Sequence, residues 1–245
     1  MQRFLMRSKK TLLIIAFVSV FFFSLISTIP AWVLGSIVAN ISNDRLRLYN
    51  TTGSFWHGSA LLVVSSEKAH KSSPLLLTNW NITAGITKFI DIKFNVGNTQ
   101  IADLYLNKHG VNLDNLDVSL SLVQLSQLAD IVSSFGLSGN LEILSQHILL
   151  GNKLSGQLTL KLGSVSSGLS PVNPLGSYQV KFKALDNTFD LTSTPGSNLT
   201  LDGQGSTTGL TLTGRIAPDK KAQMLEFITV MGVAQADGSY KMKIY

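Results

Sequence analysis

The strongest constraint on the fold is a period of two in the apolar residues. Ile90, Ile92, Phe94 and Val96 alternate with Asp91, Lys93 and Asn95, which places the apolar set on one face of an extended segment and the polar set on the other. Leu104 and Leu106 alternate in the same way. Val111 and Leu113 precede an Asp-Asn step, after which Leu116, Val118 and Leu120 resume the period. Leu158, Leu160 and Leu162 share a face with Leu154, and Tyr178, Val180 and Phe182 stand against Gln179, Lys181 and Lys183. Shorter strands are predicted near residues 199–201, 210–212 and 240–244. Between them lie tight, glycine-bearing turns: Lys108-His109-Gly110, Gly151-Asn152, Pro195-Gly196, Thr208-Gly209 and Asp237-Gly238. Such short connections join neighbouring antiparallel strands. The expected body is mainly β, a large, curved, mostly antiparallel sheet.

Two segments follow a helical period instead. Leu122, Leu125, Leu128, Ala129, Val132 and Phe135 recur every three or four residues, predicting an amphipathic helix over 121–134 that Gly136 ends. Leu225, Ile228 and Met231 give the buried stripe of a second helix over 219–231, stopped at Gly232. Both are expected to cover an apolar sheet face. LSGNL (137–141), LSGQL (154–158) and LTGRI (212–216) form a weak echo at unequal spacing. They read as one local solution used three times, a strand crossing a bend where glycine avoids a Cβ clash.

The N-terminus has a different character. Arg3, Arg7, Lys9 and Lys10 contribute four of the six net positive charges, and the chain from Asp44 onward holds 16 bases and 14 acids. Thr11–Ile29 is a run of 19 residues without a charge; as a helix it spans about 28 Å, close to the hydrocarbon thickness of a bilayer. Extended to Leu34, with Trp32 at the position of an interfacial aromatic, it reads as a transmembrane helix with its basic flank in the cytoplasm. The expected organisation is a basic tail over 1–10, a transmembrane helix over 11–34 and an exported β-rich domain over 35–245. In a bacterial cell this is a single-pass inner-membrane protein with a periplasmic C-terminal domain. A cleaved signal peptide is the alternative, but the apolar run exceeds the 7–15 residues usual there. The positive charge sits in the tail, without a basic stripe interleaved with aromatics, so nucleic acid is not an expected partner.

Catalytic and metal motifs are not found. There is no cysteine, and His57, His70, His109 and His147 lack ligand spacing. Asp103, Asp114 and Asp117 read as solvated carboxylates at a turn and strand start, since an acid/base pair needs environments that separate the two pKa values. LDGQGS (201–206) is not followed by a predicted helix, as a nucleotide fingerprint requires. No enzyme, metal or cofactor is expected.

GSFWHGSA (53–60) suggests a tight bend burying an aromatic anchor, or a membrane-proximal contact surface, with Gly53, Trp56 and Gly58 as its key residues. NPLGSY contributes Asn173, Pro174, Gly176 and Tyr178 to a fixed loop entry, and Tyr240 opens the last alternating strand. These elements, in this order after a basic tail and one apolar segment, resemble the type II secretion system protein N family. Gly53, Trp56 and Gly58 match the family's glycine–tryptophan–glycine element, with Ser54 and Phe55 where threonine and valine are usual. The Asn173, Pro174 and Gly176 loop and the late Leu225, Asp237 and Gly238 also resemble its pattern. The resemblance implies a non-enzymatic accessory or assembly subunit of the apparatus that exports folded proteins from the periplasm across the outer membrane of Gram-negative bacteria. Its implied partners are inner-membrane platform subunits and the periplasmic connection to the secretin, with membrane lipid around the anchor. A lipid-binding or lipid-transfer protein using an apolar sheet face is the second reading, and an envelope enzyme the third.

Overall fold

A computed structural model describes residues 2–66, 71–125, 130–151, 154–206 and 209–244, with side chains at all of these except 2–13, 66, 71, 130, 131, 243 and 244. The alternating segments pair in chain order. The strands are β1 (Leu46–Gly53), β2 (His57–Ser66), β3 (Lys71–Thr83), β4 (Ile90–Val96), β5 (Thr99–Asn107), β6 (Gly110–Ser121), β7 (Leu137–Leu150), β8 (Leu154–Ser167), β9 (Gly176–Lys183), β10 (Thr188–Ser193), β11 (Leu199–Ser206), β12 (Gly209–Ile216), β13 (Val233–Ala234) and β14 (Tyr240–Ile244). Among the described residues they make one open 14-stranded sheet, and every pairing is antiparallel. The order is sequential until the C-terminal end, where β14 lies between β12 and β13.

Register keeps the apolar residues on one face. Ile82 pairs with Ile92, Ile92 with Leu104, Leu104 with Leu113 and Leu113 with Ile148. A one-residue slip would turn a whole strand's apolar set to the other side. Where the period fails, the pairing shifts to compensate. Between Leu144 and Ile148 the register of β7 on β8 slips, and Gly156, with φ +118°, lies opposite Ile148. A Cβ there would come within 2.3 Å of the His147 carbonyl oxygen, so only glycine lets the strands stay paired.

Three packed clusters cover parts of this face. Leu122 and Val132 lie with Leu141, Val165 and Tyr178. They come from α3 (Leu122–Leu125) and α4 (Asp130–Ser134), two short helices where one was expected over 121–134; Ser121 itself completes β6. Leu128 and Ala129 lie outside the described residues. Met224, Phe227 and Ile228 of α5 (Lys221–Met231) pack with Val172, Leu175, Leu199, Leu212, Tyr240 and Met242. A turn of 3-10 helix at Pro218–Lys220 leads into α5.

The third cluster lies beside the N-terminus. The helix expected to continue to Leu34 ends earlier: α1 spans Gln2–Ser27 and α2 spans Trp32–Ile41. Pro30 lies in the break between them and forms an isolated bridge with Ser54; a proline has no backbone donor to carry a helix through. Ala31 and Leu34 are buried with Ala60, Trp80 and Ile82, so they belong to the body and not to the apolar helix before it. Trp32 is exposed at the start of α2. The side chains of Arg3, Arg7, Lys9, Lys10 and Thr11–Leu13 lie outside those described. Among the described residues, no helix is long and apolar enough to cross a membrane.

Met242 is 4% exposed and joins α5 to the sheet. Met242→Ala is expected to destabilise the fold by roughly 2–5 kcal/mol through lost burial and the cavity left behind. A thermal unfolding midpoint within a degree of the parent's would contradict this.

Candidate functional site

The β1–β2 hairpin is where the apolar helix meets the sheet. Gly53, with φ +90°, ends β1, and the Ser54 amide donates to the His57 carbonyl oxygen at 2.8 Å to close the turn. This reversal swings Phe55 and Trp56, packed edge to face with ring centroids 5.3 Å apart, toward the end of α1. The Trp56 indole Nε1 donates to the Ile26 carbonyl oxygen at 2.8 Å, and the Phe55 amide to that of Ile29 at 2.7 Å. The last carbonyls of a helix lack partners within it; the Trp56 indole supplies a donor to one of them, and the Phe55 amide bonds the chain two residues beyond the helix end. On its other side the turn is held by β3: Trp80 Nε1 donates to the Phe55 carbonyl oxygen at 2.9 Å, and the Ile82 amide to that of Trp56. Trp80 lies so close over Gly58 that a Cβ at that position would be 2.4 Å from Cζ2 of its ring.

The second predicted group divides between surface and core. Asn173 and Pro174 are exposed, whereas Leu175, Gly176 and Tyr178 are buried. The Asn173 side chain gathers its own loop. Nδ2 donates to the carbonyl oxygens of Ser167 and Ser170 at 3.1 and 3.2 Å, while Oδ1 accepts from the Ser167 amide at 3.0 Å. Asn198 Nδ2 donates to the Pro174 carbonyl oxygen at 2.7 Å. Tyr178 donates its hydroxyl to the Leu199 carbonyl oxygen at 2.8 Å, and burial pushes its ionisation well above the usual phenol range. Tyr240 is also buried, 5% exposed, within the cluster under α5. The GSFWHGSA turn and the Asn173 loop sit apart, in different packed clusters.

A polar group that sequence reading left dispersed comes together on the opposite face of the sheet. Asp103 is opposite Asp114, and Asp114 is opposite His147. His147 Nδ1 contacts Asp114 Oδ1, a pair 33 residues apart that only strand register reveals. Lys88 Nζ lies 3.4 Å from Asp91 Oδ1, 3.2 Å from Asp103 Oδ2 and 3.9 Å from the centre of the Tyr105 ring. Asp103 Oδ1 is buried without a hydrogen-bond partner among the described residues. Burial first, then the neighbouring Asp91 carboxyl, raises the Asp103 pKa above its ordinary value, while Lys88 opposes the shift. Beside this group lies an open concavity of about 900 Å³, lined by amides and by Asp117, His147 and Lys161. Ser145 donates its hydroxyl to the Gln157 carbonyl oxygen at 2.8 Å. Among the described residues no group of three or more His, Asp or Glu could hold a metal ion.

Compared with known families, residues 44–243 match the model of the type II secretion system protein N. The chain belongs to that family. The match runs from just before β1 into β14 and therefore covers the sheet and its helices α3–α5, including the Trp56 turn and the Asn173 loop. Helices α1 and α2 precede the matched range. No curated protein and no solved structure matches the chain.

Two measurements probe these groups in this family member. Trp56→Phe keeps an aromatic ring but loses the indole donor and the second ring. The expected result is an unchanged unfolding midpoint for the sheet to within about 1 kcal/mol, the usual net worth of one hydrogen bond, together with faster protease cleavage around residues 27–31. Unaltered cleavage would show that the bond does not hold the junction. For Asp103 the sign is set by a raised folded pKa: ionising it costs more in the fold than in the unfolded chain, so this group's contribution to stability falls as pH rises through the carboxylate range. Asp103→Asn should therefore stabilise most at pH 7 relative to the parent, with the advantage shrinking toward pH 4. An advantage that grows on acidification would reverse the assignment.

Proposed function

We propose that this protein is a non-enzymatic, single-pass inner-membrane subunit of the type II secretion system, with its sheet held on the periplasmic side as a docking body. Family membership supports the secretion role. The uncharged run Thr11–Ile29 behind a basic tail supports the anchor and its direction. The observation that carries the reading is the junction itself: the last turn of α1 is hydrogen-bonded through Trp56, and Ile29 just after it through Phe55, into the first hairpin. A helix attached this way limits both the distance and the orientation of the sheet relative to the bilayer, and confinement raises the effective concentration of the sheet for other anchored subunits. Among the described residues β1 is an edge strand of the sheet, paired by β2 and packed by α2, and a β edge can accept a partner strand. Inner-membrane platform subunits, and the periplasmic connection to the secretin, are the partners this arrangement suits.

The test is in-cell photocrosslinking from Asn50 on β1 and from Asn173 in the exposed loop. Platform subunits recovered from either position, with the protein in the membrane fraction after alkaline extraction, are the expected outcome. Recovery of the mature chain as a free periplasmic protein lacking α1 would overturn the reading.

A further inference from the structure

Among the described residues, part of the apolar sheet face lies outside the three packed clusters. Ile90, Leu106, Val111, Leu150 and Leu154 are successive register partners across β4 to β8. None of the five belongs to the cores under α2, under α3 and α4, or under α5. Ile90, Leu106, Leu150 and Leu154 are 43%, 37%, 50% and 39% exposed. At about 4.8 Å per strand the row runs for about 19 Å, the order of an extended membrane acyl chain. Leu104, Leu113 and Ile148 form a second, parallel row behind it, so the uncovered surface is a strip and not a set of single side chains. Contiguous apolar surface of this kind marks a binding face.

Position identifies what lies on it. The strip lies at the sheet end that carries the β1–β2, β3–β4, β5–β6 and β7–β8 connections. That is the end where the last turn of α1 is fastened by Trp56. Ile86 and Phe89 are exposed in the β3–β4 connection at this end, and exposed Lys108 and His109 form the β5–β6 turn beside Leu106. Apolar side chains with the Lys108 ammonium at the rim match the two parts of an anionic phospholipid. We propose that this strip binds phospholipid acyl chains drawn from the bilayer that holds α1, with headgroup phosphates toward the Lys108 turn. The inference rests on the anchored reading given above and adds a ligand site to it.

Photoreactive benzophenone side chains placed singly at Leu150, Leu77 and Phe23 of the full-length protein in cells separate the two readings. Leu77 is the control: it is 61% exposed, but its register partner is Leu61, on the face opposite Leu62 and Ala60. Phe23 lies in α1 and is 73% exposed. The expected result is phospholipid adducts by mass at Leu150 and Phe23 and none at Leu77. Adduct yield at Leu150 should fall at least fivefold in Leu106→Ser/Leu154→Ser, with the unfolding midpoint of that variant reported alongside. Adducts at Phe23 with none at Leu150, a protein adduct at Leu150, or equal lipid labelling at Leu77 would each overturn the strip while leaving the anchor standing. No lipid adduct at Phe23, with the protein in the soluble fraction, would instead remove the anchored reading.

Discussion

Cross-strand packing on a single sheet face organises this molecule. Val118, Ile143, Leu160, Val180, Leu191, Gly203, Leu212 and Met242 are register partners in turn across eight strands. Each pair in such a row fixes the register of the next, because the side-chain period is two and the buried face tolerates no slip. The helices add to a face that is already aligned. Met224 and Ile228 fall on the Leu212 and Met242 end of the row, and Leu122 and Val132 pack with partly buried Ile143 and Leu160. Burial of the face by the helices and the pairing of the strands therefore reinforce one another.

This dependence explains what could be read from the residues. Strands β4, β6 and β9 announce themselves because apolar and polar residues alternate along them, as at Ile90–Val96. The first three strands do not. In β2, Val63 and Val64 are both buried, so the run Ala60–Val64 has no alternation to detect, and β3 carries Pro74 beside a shift in register opposite Leu62 and Val63. The long strand β7 was legible only at LSGNL, because the slip between Leu144 and Ile148 changes the period within one strand. The boundary between α1 and α2 was obscured for another reason. Residues Thr11–Leu34 contain no charge, and it is the pairing of Pro30 with Ser54 and the burial of Ala31 and Leu34 that show the last part has joined the body.

The site residues divide along the same line. Trp56 and Gly58 stood out because an aromatic between glycines implies a close approach, and the structure supplies both partners of that approach, the end of α1 and the Trp80 ring. Tyr178 and Tyr240 were visible as members of alternating strands, and their burial follows from the period alone. Asp114 with His147, and Asp103 with Lys88, were not visible. Their separations of 33 and 15 residues are set by strand length and turn length, neither of which has a local signature in the side chains that meet.

Connection length decides how far the apolar face can be covered. The long links at one end of the sheet, 122–136, 168–175 and 217–232, contain α3, α4 and α5 and the residues Val172 and Leu175. A link can fold back only over the strands near its own ends, so these fill the clusters at that end. The links at the other end include 108–109, 151–153 and 184–187, which are long enough to reverse the chain and too short to lie across it. The part of the face above them receives no helix from these links. That is why Leu106, Leu150 and Leu154 stay exposed on strands whose register is otherwise dictated by burial. At this end of the sheet the Trp56 junction also brings in the last turn of α1, whose described apolar side chains, such as Phe22, Phe23 and Ile26, are exposed.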